Sequence, residues 1–231
     1  MLATGLRLFR KFMPTTLNVK RLTIITGHYG SGKSEFAINF AIQKQFQTLI
    51  DLDIINPYFR SRELTPMLLD KGIEVISSPL GNLPGSDLPY IDALAARPFY
   101  TQEKALYDLG GNASGARLMR QYLELIQEEV DFLLCVNVYR EETNTKDKII
   151  QMLNSIEGSS GLKITGLINN SHLLRSTKIE DILHGQNIID EVIKQTNIPL
   201  RYTGVWEKVE INNSLKGEII PLVLYLRPAW L

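Results

Sequence analysis

The run Gly27-His28-Tyr29-Gly30-Ser31-Gly32-Lys33-Ser34 gathers three glycines, a lysine and two hydroxyls into eight consecutive positions. Glycine has no Cβ and enters left-handed backbone freely, so a segment of this spacing can curl until successive N–H groups face one point. The ligand suited to that point is an anion. If a helix starts at Lys33, its unpaired N–H groups and positive dipole end add to the same site. The Lys33 ammonium would span the β- and γ-phosphates of a nucleoside triphosphate, and the Ser34 hydroxyl would ligate Mg²⁺. The pattern G-x-x-x-x-G-K-[ST] is complete and lies between an apolar run at 21–26 and a segment of helical period, the context its mechanism demands. Glu35, in the first turn of that helix, is counted with residues 27–34 as nucleotide-binding.

Two further acidic segments fit this chemistry. Leu49-Ile50-Asp51-Leu52-Asp53 ends a second apolar run. Residues i and i+2 of a strand point the same way, so Asp51 and Asp53 share a face. One carboxylate there can hold Mg²⁺ through water and the other can orient an attacking water. Asp108-Leu109-Gly110-Gly111 ends another apolar run. Asp108 suits a Walker B carboxylate, and D-x-x-G suits a switch in which a glycine N–H, from Gly110 or Gly111, meets the γ-phosphate and lets go on hydrolysis. Lys33 and Asp53 are thus the candidate catalytic pair, and Ser34, Asp51 and Asp108 the candidate metal donors.

These residues need a scaffold that brings several strand ends together. Short apolar runs at 22–26, 47–51, 73–77, 104–108, 132–137, 163–169 and 200–204, with a weaker one at 219–226, alternate with helical periods at 33–45, 60–71, 115–129, 145–155 and 177–196. Continuous apolar strands separated by helices predict a doubly wound α/β fold, a mostly parallel sheet covered on both faces. Ligands of such sheets sit outside the carboxyl ends of the strands, where each motif above falls. The proline-rich segment 78–101, with a short helix near 90–96, reads equally as a surface connection and as a lid or partner loop. Residues 1–20, basic and free of acids, read as an extension, leaving 21–231 as one nucleotide-binding domain.

Composition sets further bounds. Lysine plus arginine equals aspartate plus glutamate, 25 each, so no global field points to nucleic acid. The single cysteine, Cys135, excludes an internal disulfide, favours a cytoplasmic setting and reads as a small buried hydrophobe. No apolar run reaches the ~20 residues of a membrane span. His172 and His184 lack neighbours at metal spacing and read as loop or surface residues. Arg60 and Arg62 could grip a substrate anion, and Arg140 lies at the functional edge of the sheet.

Together the phosphate loop, the Asp51-Leu52-Asp53 strand end and Asp108-Leu109-Gly110-Gly111 resemble the CobQ/CobB/MinD/ParA branch of the SIMIBI class of P-loop proteins. The resemblance implies an ATP-driven switch with Mg²⁺, often a face-to-face homodimer, in which Asp53 orients the hydrolytic water. It also implies that Asn170, in Gly166-Leu167-Ile168-Asn169-Asn170, contacts adenine, with Asn169 the fallback. His28 departs from the pattern, because those members carry a signature lysine there. A neutral imidazole supplies no fixed charge for a partner's phosphates. Guanine-reading relatives use N-K-x-D, whereas this chain has Asn170-Ser171-His172-Leu173, so ATP is expected over GTP. A protein partner is expected of a switch. The alternatives are a kinase or ligase with a small-molecule acceptor, and a binding module with negligible turnover.

Overall fold

A computed structural model describes residues 18–53, 64–77 and 93–227. The expectations for Arg60, Arg62 and most of the proline-rich segment lie outside the described residues.

Eight strands form one sheet: β1 (Leu22–Thr26), β2 (Thr48–Leu52), β3 (Glu74–Ser77), β4 (Ala105–Leu109), β5 (Asp131–Val136), β6 (Gly166–Asn169), β7 (Leu200–Trp206) and β8 (Glu218–Leu222). Their order is β3-β2-β4-β1-β5-β6-β7-β8, and every pairing is parallel. The helices are α1 (Lys33–Gln43), α2 (Thr65–Asp70), α3 (Ala113–Arg120), α4 (Lys146–Ser160) and α5 (Ile179–Thr196). The doubly wound α/β expectation therefore holds.

The strands alternate between two cores, as period two requires. Leu22, Ile24, Tyr107, Phe132 and Leu134 face one, with Met119 of α3, Ile149 and Leu153 of α4 and Ile189 of α5. Ile25, Leu49, Leu106, Leu133 and Cys135 face the other, with Phe36 and Phe40 of α1 and Leu68 of α2. Asp51 and Asp108 follow Leu49 and Leu106 by two positions, so they emerge on the α1 face. The sheet fixes α1 through an aromatic cluster: Phe40 lies 5.6 Å from Phe36, 5.8 Å from Phe46 and 4.8 Å, edge-on, from Tyr202. Such contacts contribute about 0.5–1.5 kcal/mol each beyond the area they bury. The helix that carries the phosphate loop is thus anchored rigidly.

Several element boundaries differ from the sequence reading, four of them as follows. The helix expected at 115–129 begins at Ala113, where Asn112 Oδ1 caps it by accepting the Gly115 N–H at 2.7 Å, and ends at Arg120. There Tyr122 turns inward and stacks on Phe99 at 5.2 Å, and a 3₁₀ turn at Leu123–Leu125 follows. The helix expected to stop at 155 runs to Ser160, until Gly161 takes a left-handed φ of 79°. The helix expected near 90–96 is a 3₁₀ segment, Ala93–Phe99. The last strand ends at Leu222, short of 226, because the Asn39 side chain takes both backbone groups of Val223. The Val223 N–H donates to Asn39 Oδ1 and its carbonyl accepts from Nδ2, both at 2.9 Å.

Before β1 the chain is already tied to the sheet. The Lys20 N–H donates to Asp131 Oδ2 at 3.1 Å, and Arg201 donates to the Asn18 carbonyl at 3.2 Å.

Candidate functional site

The loop between β1 and α1 lies where the chain's direction of winding reverses: β4 flanks β1 on one side and β5 on the other. Gly30 and Gly32 take left-handed φ values of 77° and 78°. A Cβ on Gly32 would also lie 2.6 Å from Asn170 Nδ2, so the position excludes side chains twice over. Distant residues pull the loop's carbonyls backward. Arg140 Nε donates to the Gly30 carbonyl at 2.8 Å, and Asn170 Nδ2 donates to that of Ser31 at 2.7 Å. The Cys135 thiol approaches the same Ser31 carbonyl at 3.7 Å from the core. Cys135 is buried as expected, and burial pushes its thiol up to about 12.

Lys33 is buried at the mouth of this loop and is ion-paired with Asp53, with Asp108 Oδ1 at 3.9 Å. Asp51 and Asp108 are register partners across β2 and β4, and Asp51 Oδ1 accepts the Asp53 N–H at 3.1 Å. Burial works to lower the Lys33 pKa, but Asp108 and Asp53 outweigh it and hold the ammonium charged. Burial raises the Asp108 carboxyl well above its ordinary range, against the pull of Lys33 and the Ser34 hydroxyl. Its Oδ1 has no hydrogen-bond partner among the described residues. The residues expected to be catalytic and metal-holding are thus together. Among the described residues no three His, Cys, Asp or Glu side chains form a ready metal cage.

The loop after β4 lies directly on the phosphate loop. A Cβ on Gly111 would fall 1.8 Å from the Gly27 carbonyl, so only glycine permits the approach, and one on Gly110 would lie 3.3 Å from Asp53 Oδ1. Thr26 Oγ1 donates to the Gly110 carbonyl at 3.4 Å. His28, in the signature-lysine position, turns toward Glu142, with Nδ1 3.4 Å from Oε2. Tyr29, between the first two glycines, is exposed.

On the other side of the loop opens a cavity of about 390 Å³, lined by Gly32, Lys33 and Ser34 at one end. Its walls include Leu174, Ile182, Trp206, Leu222, Leu224 and Leu226. Asn170 is buried at its edge, with Nδ2 spent on Ser31 and Oδ1 without a partner among the described residues. Asn169, the fallback, is used structurally: its Nδ2 donates to the Ile182 carbonyl at 3.0 Å. His172 lies in a loop, as expected, but is partly buried and not on the open surface. It lines the cavity, and burial together with Arg140 and Arg227 lowers its pKa to about 4, which keeps it neutral. His184 is exposed, its ring 6.0 Å from Tyr139.

Glu35 also reaches the cavity, but its carboxylate is engaged. It accepts the N–H of Tyr225 at 2.6 Å and that of Leu226 at 3.3 and 3.2 Å. Burial nonetheless pushes its pKa up to about 7. The sequence reading missed Trp206, Arg227 and the stretch beyond β8, which carry no motif. The one available signal was the pair of polar residues, Glu35 and Asn39, one turn apart and flanking the apolar run Phe36-Ala37-Ile38 of the helix.

No protein family and no curated protein matches the chain in sequence. Solved structures do match its fold. The cell division protein FtsY of Thermotoga maritima superposes with a TM-score of 0.54 at 15% identity, over 88% of this chain and 69% of that one. The chloroplast FtsY of Physcomitrella patens gives 0.51 at 16% identity, over 87% and 66%. FlhF complexed with GMPPNP and Mg²⁺ gives 0.52 at 13% identity, over 88% and 74%. At these identities the likeness establishes the P-loop α/β fold. It extends to FtsY and FlhF, and does not single out the CobQ/CobB/MinD/ParA branch.

Proposed function

We propose that the chain is a Mg²⁺-dependent nucleoside triphosphatase that uses ATP and acts as a nucleotide-controlled switch. The observation that carries this reading is the convergence of Lys33, Asp53 and Asp108 at the mouth of a glycine-built anion loop. In the structure Lys33 is neutralised by Asp53. A triphosphate in the loop offers the ammonium a denser negative partner, and the exchange frees the Asp53 carboxylate. That carboxylate can then accept a hydrogen bond from water and orient it toward the γ-phosphate. Lys33 stabilises the charge that builds on the phosphoryl oxygens.

The hard oxygen donors nearby fit Mg²⁺, namely the Ser34 hydroxyl, Asp51 and Asp108 Oδ1, which accepts no hydrogen bond among the described residues. Mg²⁺ keeps waters and takes phosphate oxygens, so the lack of a protein cage is no obstacle. When bound it would neutralise phosphate charge. The close seat of the Gly110-Gly111 turn on the phosphate loop supports a role for it in sensing the γ-phosphate. A switch of this kind would act on a protein partner or on a second copy of the chain.

The choice of ATP rests on Asn170. One amide N–H of Asn170 is committed to Ser31, and its Oδ1 is a buried acceptor without a partner among the described residues, which suits the 6-amino donor of adenine. Leu173, where a guanine-reading Asp would stand, is exposed. The FlhF structure, which holds a GTP analogue with Mg²⁺, favours GTP as the second reading. Phosphate release from Mg-ATP and Mg-GTP, measured side by side, decides between them. Faster turnover of ATP is expected. Faster turnover of GTP would overturn the base assignment, and no turnover of either would overturn the hydrolase.

A further inference from the structure

Beyond β8, residues 223–227 form a strap that contributes Leu224, Leu226 and Arg227 to the cavity lining. Two side chains of α1, one turn apart, receive its backbone. Asn39 brackets Val223 with two hydrogen bonds of 2.9 Å, and Glu35 accepts the N–H groups of Tyr225 and Leu226. Asn39 Nδ2 also donates to the Glu35 carbonyl at 2.8 Å, so the two rungs are braced together. At the far end Arg175 donates to the Arg227 carbonyl at 3.3 Å. Leu222, Leu224 and Leu226 line the cavity together with Leu174 and Trp206, and Leu222 is the register partner of Trp206 across β7 and β8.

Burying a Glu and an Asn in the helix of a phosphate loop is costly unless both are satisfied. Here both are spent on one object, the strap. We propose that this strap is the base-selecting wall of the site, and that Asn39 is the positioning residue that docks it onto the phosphate-loop helix. The inference rests on the triphosphatase reading and deepens it. A flat aromatic base is the ligand that fits a cleft lined by leucines and an indole, with a buried acceptor at its edge. Because α1 also begins at Lys33, the base wall and the phosphate loop share one rigid support. Recognition of the two halves of the nucleotide is thereby held in register.

The test uses the full chain with Trp230→Phe, so that Trp206 is the sole indole reporter, and two probes: Mg-ATP and the base-free Mg-tripolyphosphate. Wild-type protein is expected to bind ATP at least ~10-fold more tightly than tripolyphosphate, a difference of about 1.4 kcal/mol. Only ATP should change the Trp206 emission. Asn39→Leu removes both bonds to Val223, and Leu224→Ala trims the wall without touching α1. Each is expected to weaken ATP about tenfold and to leave tripolyphosphate within about twofold. Unchanged ATP affinity in both variants would overturn the proposal. So would equal loss of both probes in Leu224→Ala, or a wild type that binds the two probes equally. If the wild type binds neither, the triphosphatase reading fails first, and the strap assignment fails with it.

Discussion

The two ends of this site, separated by one loop, are built on opposite principles. At the phosphate end a buried lysine faces Asp53 and Asp108, and the groups hold one another charged or neutral by proximity. At the cavity end the walls are leucine, isoleucine and tryptophan, with one free amide oxygen and a histidine kept neutral. Phosphate is recognised by charge and by backbone N–H groups, which are indifferent to the base. A base is recognised by shape and by a few hydrogen bonds, which are indifferent to phosphate. The phosphate end therefore needs fixed residue types at fixed spacing, whereas the cavity end can be assembled from whatever the fold brings near.

Loss of function at the phosphate end should be the largest effect. Lys33→Ala is expected to lower the rate of phosphate release about 10²–10³-fold. Loss smaller than tenfold in a steady-state assay would break the division of labour drawn above. The cavity end should instead show itself in stability against acid. His172 has a folded pKa lowered from 6.5 to about 4, so the unfolded chain binds the proton more readily. The His172 contribution to stability is then full above about pH 6.5 and falls as pH drops toward about 4, by on the order of 3 kcal/mol, while Glu35, raised to about 7, contributes in the opposite sense. Chemical denaturation at stepped pH should show this slope flattened in His172→Gln. A slope that persists there would place the acid sensitivity elsewhere.

Asn170→Ala should raise the ATP dissociation constant about tenfold and narrow the preference for ATP over GTP, as loss of one buried hydrogen bond implies. Calorimetry with both nucleotides checks it, and an unchanged preference would sever Asn170 from base reading. The smallest effect belongs to Cys135, which touches the loop only from behind. Cys135→Ala should cost ~1 kcal/mol of stability. Its phosphate release should stay within a factor of three of the wild type in the same assay.

The contrast also explains what the sequence made legible. Strand positions could be read because each buried strand is a continuous apolar run, and the loop could be read because anion binding constrains glycine and lysine spacing. Asp51, Asp53 and Asp108 were found because strand ends converge in a parallel sheet. The cavity was not legible beyond Asn170. Trp206 on β7 and the pair Leu224 and Arg227 on the strap beyond β8 owe their meeting to the order of β6, β7 and β8. His172 read as a loop or surface residue because nothing local marks it as lining a cavity beside Arg140 and Arg227. The helix expected at 115–129 failed for the same kind of reason: Tyr122 is drawn to Phe99, a contact invisible to local periodicity.

The most direct test of the central claim is single-turnover phosphate release from Mg-ATP by the wild type, beside Asp53→Ala, with nucleotide binding measured on the same samples. Release as free inorganic phosphate in the wild type, lost by at least ~10²-fold in Asp53→Ala while binding persists, is the predicted result. Equal release by both proteins would contradict the account, because the carboxylate that Lys33 holds in the structure would then have no part in positioning water.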